Sequence, residues 1–185
     1  MNPLEMLERA HARNAQLIAA IKPEQMAQPT PCEGWDIRHL MNHMVGGAHM
    51  FGAAAGRTEP SGPPPEDLLG DDPVAAYRAA ADANLAGWRS EGAMEGTLKL
   101  PFGEMPASVA SGINLLEAII HGWDLAKASG QPFEADAATV EQVAAFSRQL
   151  VTDEVRQGGA FGAEVTVPEG APAVDRLAGF LGRKP

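Results

Sequence analysis

Cysteine and basic residues are both scarce in this chain of 185 residues, and each scarcity excludes a class of protein. Its single cysteine, Cys32, has no partner for a disulfide within the chain, so the fold cannot depend on internal cross-links. The chain has 14 lysines and arginines against 24 aspartates and glutamates, which gives a net charge of −10. Because this charge would repel a phosphate backbone, we expect no nucleic-acid partner.

Long apolar runs and targeting signals are also missing from the sequence. No apolar run approaches the roughly 20 residues needed to cross a bilayer, so we expect no membrane association. Residues 1–5 form neither a basic nor an apolar segment, which argues against a signal peptide and predicts a bacterial cytoplasmic protein. The length and the apolar fraction of 45% predict a single domain over residues 1–185 with a buried core.

Most of the chain has the apolar spacing that is typical of amphipathic helices. Asn2, Asp36 and Asp72 stand where helix caps are expected, and Pro3 and Pro73 suit the first turns that follow. The pattern predicts helices at about 3–22, 37–55, 73–89, 107–129, 137–157 and 172–181. Between them it predicts a proline-rich loop at 57–70, a short hairpin or irregular crossover at 92–106 and a strand at 164–167.

Four of these helices are long and amphipathic, and the segments between them include one long crossover. This order predicts an all-α fold, namely a four-helix bundle with a short hairpin or irregular segment and a small C-terminal extension. Trp35 and Leu40 occupy the two positions of a hydrophobic staple at the start of the second helix. We expect Trp35 to pack in the core, with the lining of a substrate cleft as the alternative.

Three residues of the two most apolar helices have the chemistry of a metal site. Glu117 and His121 stand four residues apart, so both side chains project from one helix face. Burying them among aliphatic residues requires a partner for their lone pairs. His43 in the second helix offers a third ligand, and two histidines with one carboxylate leave a coordination position open, as in catalytic sites. The alternative is an α-helical interaction module in which both histidines are simply buried.

Other residues have weaker claims to a functional role. Cys32 has no histidine base beside it in the sequence, and we interpret it as structural. Asp124 can orient a ligating imidazole from behind, or it can be an exposed carboxylate. His39 lies in a first helical turn near solvent, and we leave it out of the ligand set. The sequence indicates no partner for His11 or His49.

Two motifs and a C-terminal signature resemble a known family. The run PTPCEGWDIRHLMNHMVGG at residues 29–47 resembles the N-terminal motif of DinB/YfiT-like proteins, closest to the branch related to mycothiol-dependent maleylpyruvate isomerase. The run EAIIHGWDLA at residues 117–126 resembles the second motif of that branch. The run DRLAGFLGR at residues 175–183 is similar to the C-terminal signature of its compact actinobacterial-type subgroup.

The resemblance implies a four-helix bundle that binds a divalent metal through His43, Glu117 and His121, with zinc expected first and nickel second. It also implies a mycothiol-like small thiol as co-substrate and a small electrophile as substrate. The mycothiol-dependent isomerase has an additional C-terminal domain that helps to bind substrate, and this sequence has no counterpart of it. We therefore expect an electrophile other than maleylpyruvate.

Several functions stay open on the sequence alone. The first is a metal-dependent transferase or isomerase that uses a low-molecular-weight thiol. The second is a metal-dependent hydrolase, in which water takes the place of the thiol. The third is a metal-binding stress or accessory protein without turnover, and a cleft that reaches the metal would separate it from the enzymes. Catalytic residues beyond the ligands are not indicated, and both a monomer and a homodimer are compatible with the sequence.

Overall fold

The computed structural model describes residues 2–58 and 65–185, in which helices predominate. The elements of this part of the chain are, in order, α1 (Pro3–Ala19), α2 (Ile37–Ala55), α3 (Pro73–Arg89), β1 (Thr97–Leu100), β2 (Gly103–Pro106), α4 (Ala107–Ser129), α5 (Ala137–Leu150), α6 (Asp153–Gln157) and α7 (Ala173–Phe180). A single 3-10 turn, Pro23–Gln25, follows α1. The all-α fold predicted from the sequence is confirmed.

The helix boundaries follow from capping chemistry. The Asn2 side chain accepts a hydrogen bond from the Glu5 backbone N–H, and the Glu5 carboxylate accepts one from the Asn2 N–H in return. Asp36 and Asp72 accept bonds from the third backbone N–H of α2 and α3 in the same way. Gly130, with φ of 70°, ends α4 in the left-handed conformation that glycine adopts most easily.

The helices α1 to α4 pack against one another as a bundle, with α4 in contact with both α1 and α2. α4 is buried over most of its length, because apolar residues cover nearly its whole surface. α5 and α7 pack on its outer side. In the described part of the chain, no helix combines the length and the apolar character needed to cross a membrane.

A hairpin connects α3 to α4, as the alternating sequence predicts. β1 and β2 pair antiparallel, with Thr97 opposite Pro106 and Leu100 opposite Gly103. Leu98 and Leu100 point into the core, whereas the opposite face of β1 is exposed. The hairpin therefore closes one end of the bundle and leads directly into the helix that carries two of the predicted ligands.

Three predictions about the elements need correction or fall outside the described residues. The helix predicted at 137–157 is interrupted, because α5 ends at Leu150 and the Thr152 hydroxyl caps a new helix, α6. The strand predicted at 164–167 is wrong: the described residues give this segment one backbone bond, from Val165 N–H to the Gly179 carbonyl, and no partner strand. Three prolines of the predicted loop, Pro60, Pro63 and Pro64, lie outside the described residues.

Helices α2 and α3 approach so closely that their crossing requires glycine. A Cβ atom on Gly87 would lie 2.0 Å from the carbonyl oxygen of Gly52, a backbone atom that cannot rotate away. We expect Gly87→Ala to lower the free energy of unfolding by about 3 kcal/mol or more, since the helices must separate. Gly47→Ala is the matched control, because a Cβ there meets open space and alanine favours the helix. Urea melts of both variants measure the difference, and equal stability would contradict the close crossing.

Candidate metal centre and active site

Helices α2 and α4 bring the three predicted ligands together. Glu117 Oε2 lies 3.1 Å from His43 Nε2 and 3.1 Å from His121 Nε2. One ligand atom from each residue lies within 4.8 Å of the other two. An ion bonded to nitrogen and oxygen at 2.0–2.2 Å in tetrahedral geometry holds its ligand atoms about 3.3–3.6 Å apart. The cluster therefore has the donor set and the dimensions that one divalent metal needs.

The electrostatics of the cluster favour a bound cation. Burial raises the pKa of Glu117, but the charge of His121 and hydrogen bonds from both imidazoles hold that pKa well below its usual range. Burial lowers the pKa of His121, whereas the carboxylates of Glu117 and Asp124 on either side raise it well above its usual value. Glu117 is thus an ionised carboxylate whose negative charge is met by a proton on His121. A divalent metal cation can replace that proton, since it is also positive and would bind the same oxygen of Glu117 and nitrogen of His121.

Asp124 holds His121 from behind. Its carboxylate is completely buried, and Oδ2 accepts a hydrogen bond from His121 Nδ1 at 3.0 Å. This bond fixes the proton on Nδ1 and turns Nε2 towards Glu117, which is the arrangement that a metal-ligating histidine needs. Burial alone would raise the pKa of Asp124. The hydrogen bond from His121 and the charge of Arg183 outweigh burial and lower this pKa, so Asp124 is ionised. The sequence leaves two interpretations of Asp124 open. The interpretation as an exposed carboxylate is wrong, because the side chain is buried.

Arg183 completes this arrangement and was not expected from the sequence. Its Nη2 and Nε donate to the two oxygens of Asp124 at 3.1 and 3.3 Å, as a two-pronged pair. Arg183 follows α7, and Trp123 Nε1 donates to Asp175 Oδ1 at 2.7 Å, which holds α7 against α4. Both Asp175 and Arg183 belong to the C-terminal signature. No spacing rule, however, connects Arg183 with a residue 59 positions earlier.

Cys32 lies nearer to the site than the sequence indicates. Its Sγ is 3.9 Å from His121 Nδ1 and 3.2 Å from Asp124 Oδ2, so the fold brings a histidine that is distant in the sequence close to the thiol. The thiol nevertheless donates to Asp124, and His121 Nδ1 carries a proton that it donates to the same oxygen. Nδ1 therefore has no free lone pair with which to activate the thiol. A second group of ligand atoms, from Cys32, His121 and Asp124, also has the spacing of a metal site. The guanidinium of Arg183, however, already contacts this group.

Trp35 forms an aromatic wall beside the ligands. Its ring centroid lies 4.8 Å from that of His43 and 6.1 Å from that of His121, and it stacks on His39 at 4.5 Å. Trp35 packs partly against the cluster that contains Leu40, as the staple predicts, but it stays half-exposed. Complete burial of Trp35 in the core is therefore wrong, because the ring packs on the core on one side and borders the ligands on the other. His39 is exposed, which agrees with its omission from the ligand set.

A cleft of about 290 Å³, including its open mouth, runs beside the ligands. The side chains of His43 and Glu117 are 38% and 30% exposed, so solvent reaches the cluster. The inner end is lined by polar residues of α1 and α3, among them His11 and Tyr77. His11 is buried and bonded to Tyr77 and Asn84, which corrects the expectation that it has no partner, whereas His49 is exposed.

Comparison with known proteins agrees with this architecture. Residues 7–126 match the family model described as the mycothiol maleylpyruvate isomerase N-terminal domain. The chain belongs to this family. The matched range contains Cys32, Asp124 and all three residues of the candidate metal centre, so the resemblance seen in the sequence motifs is confirmed.

Two relatives of the chain extend over its whole length. The uncharacterized proteins MT0763 and Rv0738, from the CDC 1551 / Oshkosh and H37Rv strains of Mycobacterium tuberculosis, are each 38% identical to it over 185 residues. The alignments cover 99% of this chain and 98% of theirs. Family members of this size and arrangement therefore occur in mycobacteria.

Two crystal structures of the mycothiol-dependent maleylpyruvate isomerase have a similar fold. A variant of that enzyme with one histidine replaced by alanine is 18% identical, with a TM-score of 0.64 over 88% of this chain and 73% of its own. A second structure is 19% identical, with a TM-score of 0.63 over 84% of this chain and 71% of its own. At identities this low, the TM-scores establish a shared fold alone.

Proposed function

We propose that this family member is a metal-dependent transferase or isomerase that joins a low-molecular-weight thiol to a small electrophile. The observation that carries the proposal is the meeting of His43, Glu117 and His121 at a cleft that is open to solvent. A purely structural metal site would be closed by a fourth protein ligand, whereas three ligands beside an opening leave room for a reactant. The family name points to mycothiol as the thiol.

The residues of the site divide the work between binding and orientation. Glu117 and the two imidazoles supply one negative charge and two neutral donors, which suits zinc first and nickel second. When bound, such a metal supplies the positive charge that holds a thiol as thiolate at neutral pH. Asp124 and Arg183 keep His121 in the required tautomer, and the Trp35 ring packs beside both imidazoles. Cys32 is not activated as a nucleophile by His121, because Nδ1 of His121 donates to Asp124 and cannot take the thiol proton.

Metal analysis combined with a thiol-consumption assay tests the proposal. Protein purified without chelator is expected to carry about one divalent ion per chain, given one complete ligand set. It should consume mycothiol when a small electrophile is present, lose this activity on dialysis against chelator, and regain it with zinc. Undiminished thiol consumption by metal-free protein would contradict the proposal. Turnover without any thiol would instead indicate the hydrolase, and metal binding without turnover the accessory protein.

A further inference from the structure

A second pocket lies between α1, α4 and the segment that joins α4 to α5. Its volume is about 160 Å³. None of the candidate ligands His43, Glu117 and His121 borders it, and only Asn14 and Ala118 border both this pocket and the metal cleft. A cavity of about 150 Å³ with apolar walls can hold benzene. The second pocket is therefore large enough for one aromatic ring.

Apolar side chains form a large part of the wall of this second pocket. Met6 and Ala10 of α1 and Ile119 of α4 are buried there. Phe133, in the joining segment, is half-buried and packs against the same core cluster. Transfer of an apolar ring from water onto such side chains is favourable in proportion to the apolar area that it buries. The wall therefore favours an apolar ring over a polar molecule of the same size.

The charged groups around the second pocket balance one another. Arg9 and Arg13 of α1 carry two positive charges, and Glu134 and Asp136 of the joining segment carry two negative charges. The Asp136 carboxylate already accepts from the backbone N–H and the hydroxyl of Thr139 as the cap of α5. An anion or a cation would each meet one pair of charges that attracts it and one pair that repels it, and each would also lose water. The charges therefore favour an uncharged ligand.

Two polar atoms of lining residues have no hydrogen-bond partner. Among the described residues, two buried side-chain atoms lack one, Arg13 Nε and Asn14 Oδ1, and both residues line the second pocket. A Cβ atom on Gly122 would lie 2.2 Å from Asn14 Oδ1 and 3.0 Å from the Phe133 ring, so this oxygen lies near the aromatic part of the wall. A hydroxyl group suits either atom, because it accepts from an N–H and donates to an oxygen. Both atoms are covered, so a hydroxyl reaches them only when neighbouring side chains shift.

We propose that the second pocket is a separate binding site for a small uncharged aromatic alcohol, a single ring that carries a hydroxyl group as phenol does. The ring packs on Met6 and Ile119, and the hydroxyl bonds Arg13 Nε or Asn14 Oδ1. The inference goes beyond the proposed function, because binding in this pocket requires neither a metal nor a thiol. A ligand there also leaves the metal cleft open to the reactants, since the two lie on different sides of Asn14 and Ala118.

Phenol, fluorobenzene, benzoate and benzylammonium are the probes, because they share one ring and differ in the hydroxyl group or the charge. The readout is the methyl resonances of Met6 and Ile119 in carbon-13 NMR spectra of the full chain after treatment with chelator. We expect phenol to shift both in a saturable way. It should bind at least about fivefold more tightly than either charged probe and about threefold more tightly than fluorobenzene. The methyl groups of Met44, which lines the metal cleft, and of the exposed Met94 should stay unchanged.

Ala135→Leu tests the location of the site. Ala135 is half-buried in the pocket wall, and the larger side chain takes up part of the space for the ring, so phenol should bind about tenfold more weakly. Ala138→Leu is the matched control, because Ala138 is exposed on α5 and does not line the pocket. If Ala135→Leu does not fold, the comparison of the probes on unmodified protein still decides. Resonances of Met6 and Ile119 that phenol leaves in place, or a second probe that binds as tightly as phenol, would overturn the proposal.

Discussion

Replacement of Glu117 by alanine is expected to abolish the binding of divalent metal while the helices stay folded. Glu117 Oε2 lies 3.1 Å from each of the two imidazoles, so the carboxylate is the centre of the ligand set. Loss of a residue that merely orients a ligand reduces metal affinity by about 10- to 100-fold, and loss of a ligand should exceed this. Alanine favours the helix, and the apolar contacts of α4 do not involve the carboxylate.

The measurement combines metal content with stability. Glu117→Ala should contain little metal after purification without chelator, and its metal-free melting temperature should lie close to that of the metal-free unmodified protein. Glu141→Ala is the matched control, because Glu141 is exposed on α5 and has no part in the cluster. A Glu117→Ala protein with full metal content would refute the ligand set. Unfolding of the variant without metal would show that Glu117 serves the fold.

His121→Ala and Cys32→Ser should have opposite effects on thiol transfer. His121→Ala removes a ligand and leaves Asp124 with Arg183 as its remaining charged partner, so activity should fall below detection. Cys32→Ser replaces one donor to Asp124 with another, and activity should stay within about threefold of the unmodified value. Thiol consumption by both variants should be measured together with their metal content. Activity of the unmodified protein should rise with pH as the thiolate fraction grows.

One outcome of this experiment would contradict the structural role of Cys32. If Cys32→Ser were inactive while its metal content stayed normal, Cys32 would be the nucleophile. The mechanism would then require His121 to use Nδ1 as a base, contrary to its bond with Asp124. A His121→Ala protein that retained activity would show instead that the thiol reaction does not depend on this cluster.

Local chemistry explains which parts of the structure the sequence could predict. The starts of α2 and α3 depend on Asp36 and Asp72, and each cap bonds a backbone group only three residues away. The pairing of Glu117 with His121 is equally local, because four residues make one helical turn. These features are written in short stretches of sequence, so their pattern can be read without the fold.

The features that could not be predicted depend on contacts between distant residues. Cys32 meets Asp124 across 92 positions, and no periodicity connects them. Trp35 is only half-buried because one face of its ring borders the ligand cluster, which a staple motif does not describe. The segment at 164–167 alternates like a strand, yet it has no neighbour to pair with among the described residues. Sequence alone indicates the tendency of a segment, whereas its partners depend on the whole packing.

Arg183, which follows α7, bonds Asp124, and Asp124 orients His121. The orientation of His121 is therefore supported by a residue of the C-terminal extension. A ribosome makes this arginine long after it has made α2 and α4, so the ligands exist before their support does. The bond from His121 to Asp124 lies within α4 and can form first, whereas Arg183 can support it only after α7 has docked. Trimming of the chain by a peptidase beyond α7 would reverse this step, leaving the helices intact and His121 less well oriented. The order of synthesis thus places this support of the site after the ligands themselves.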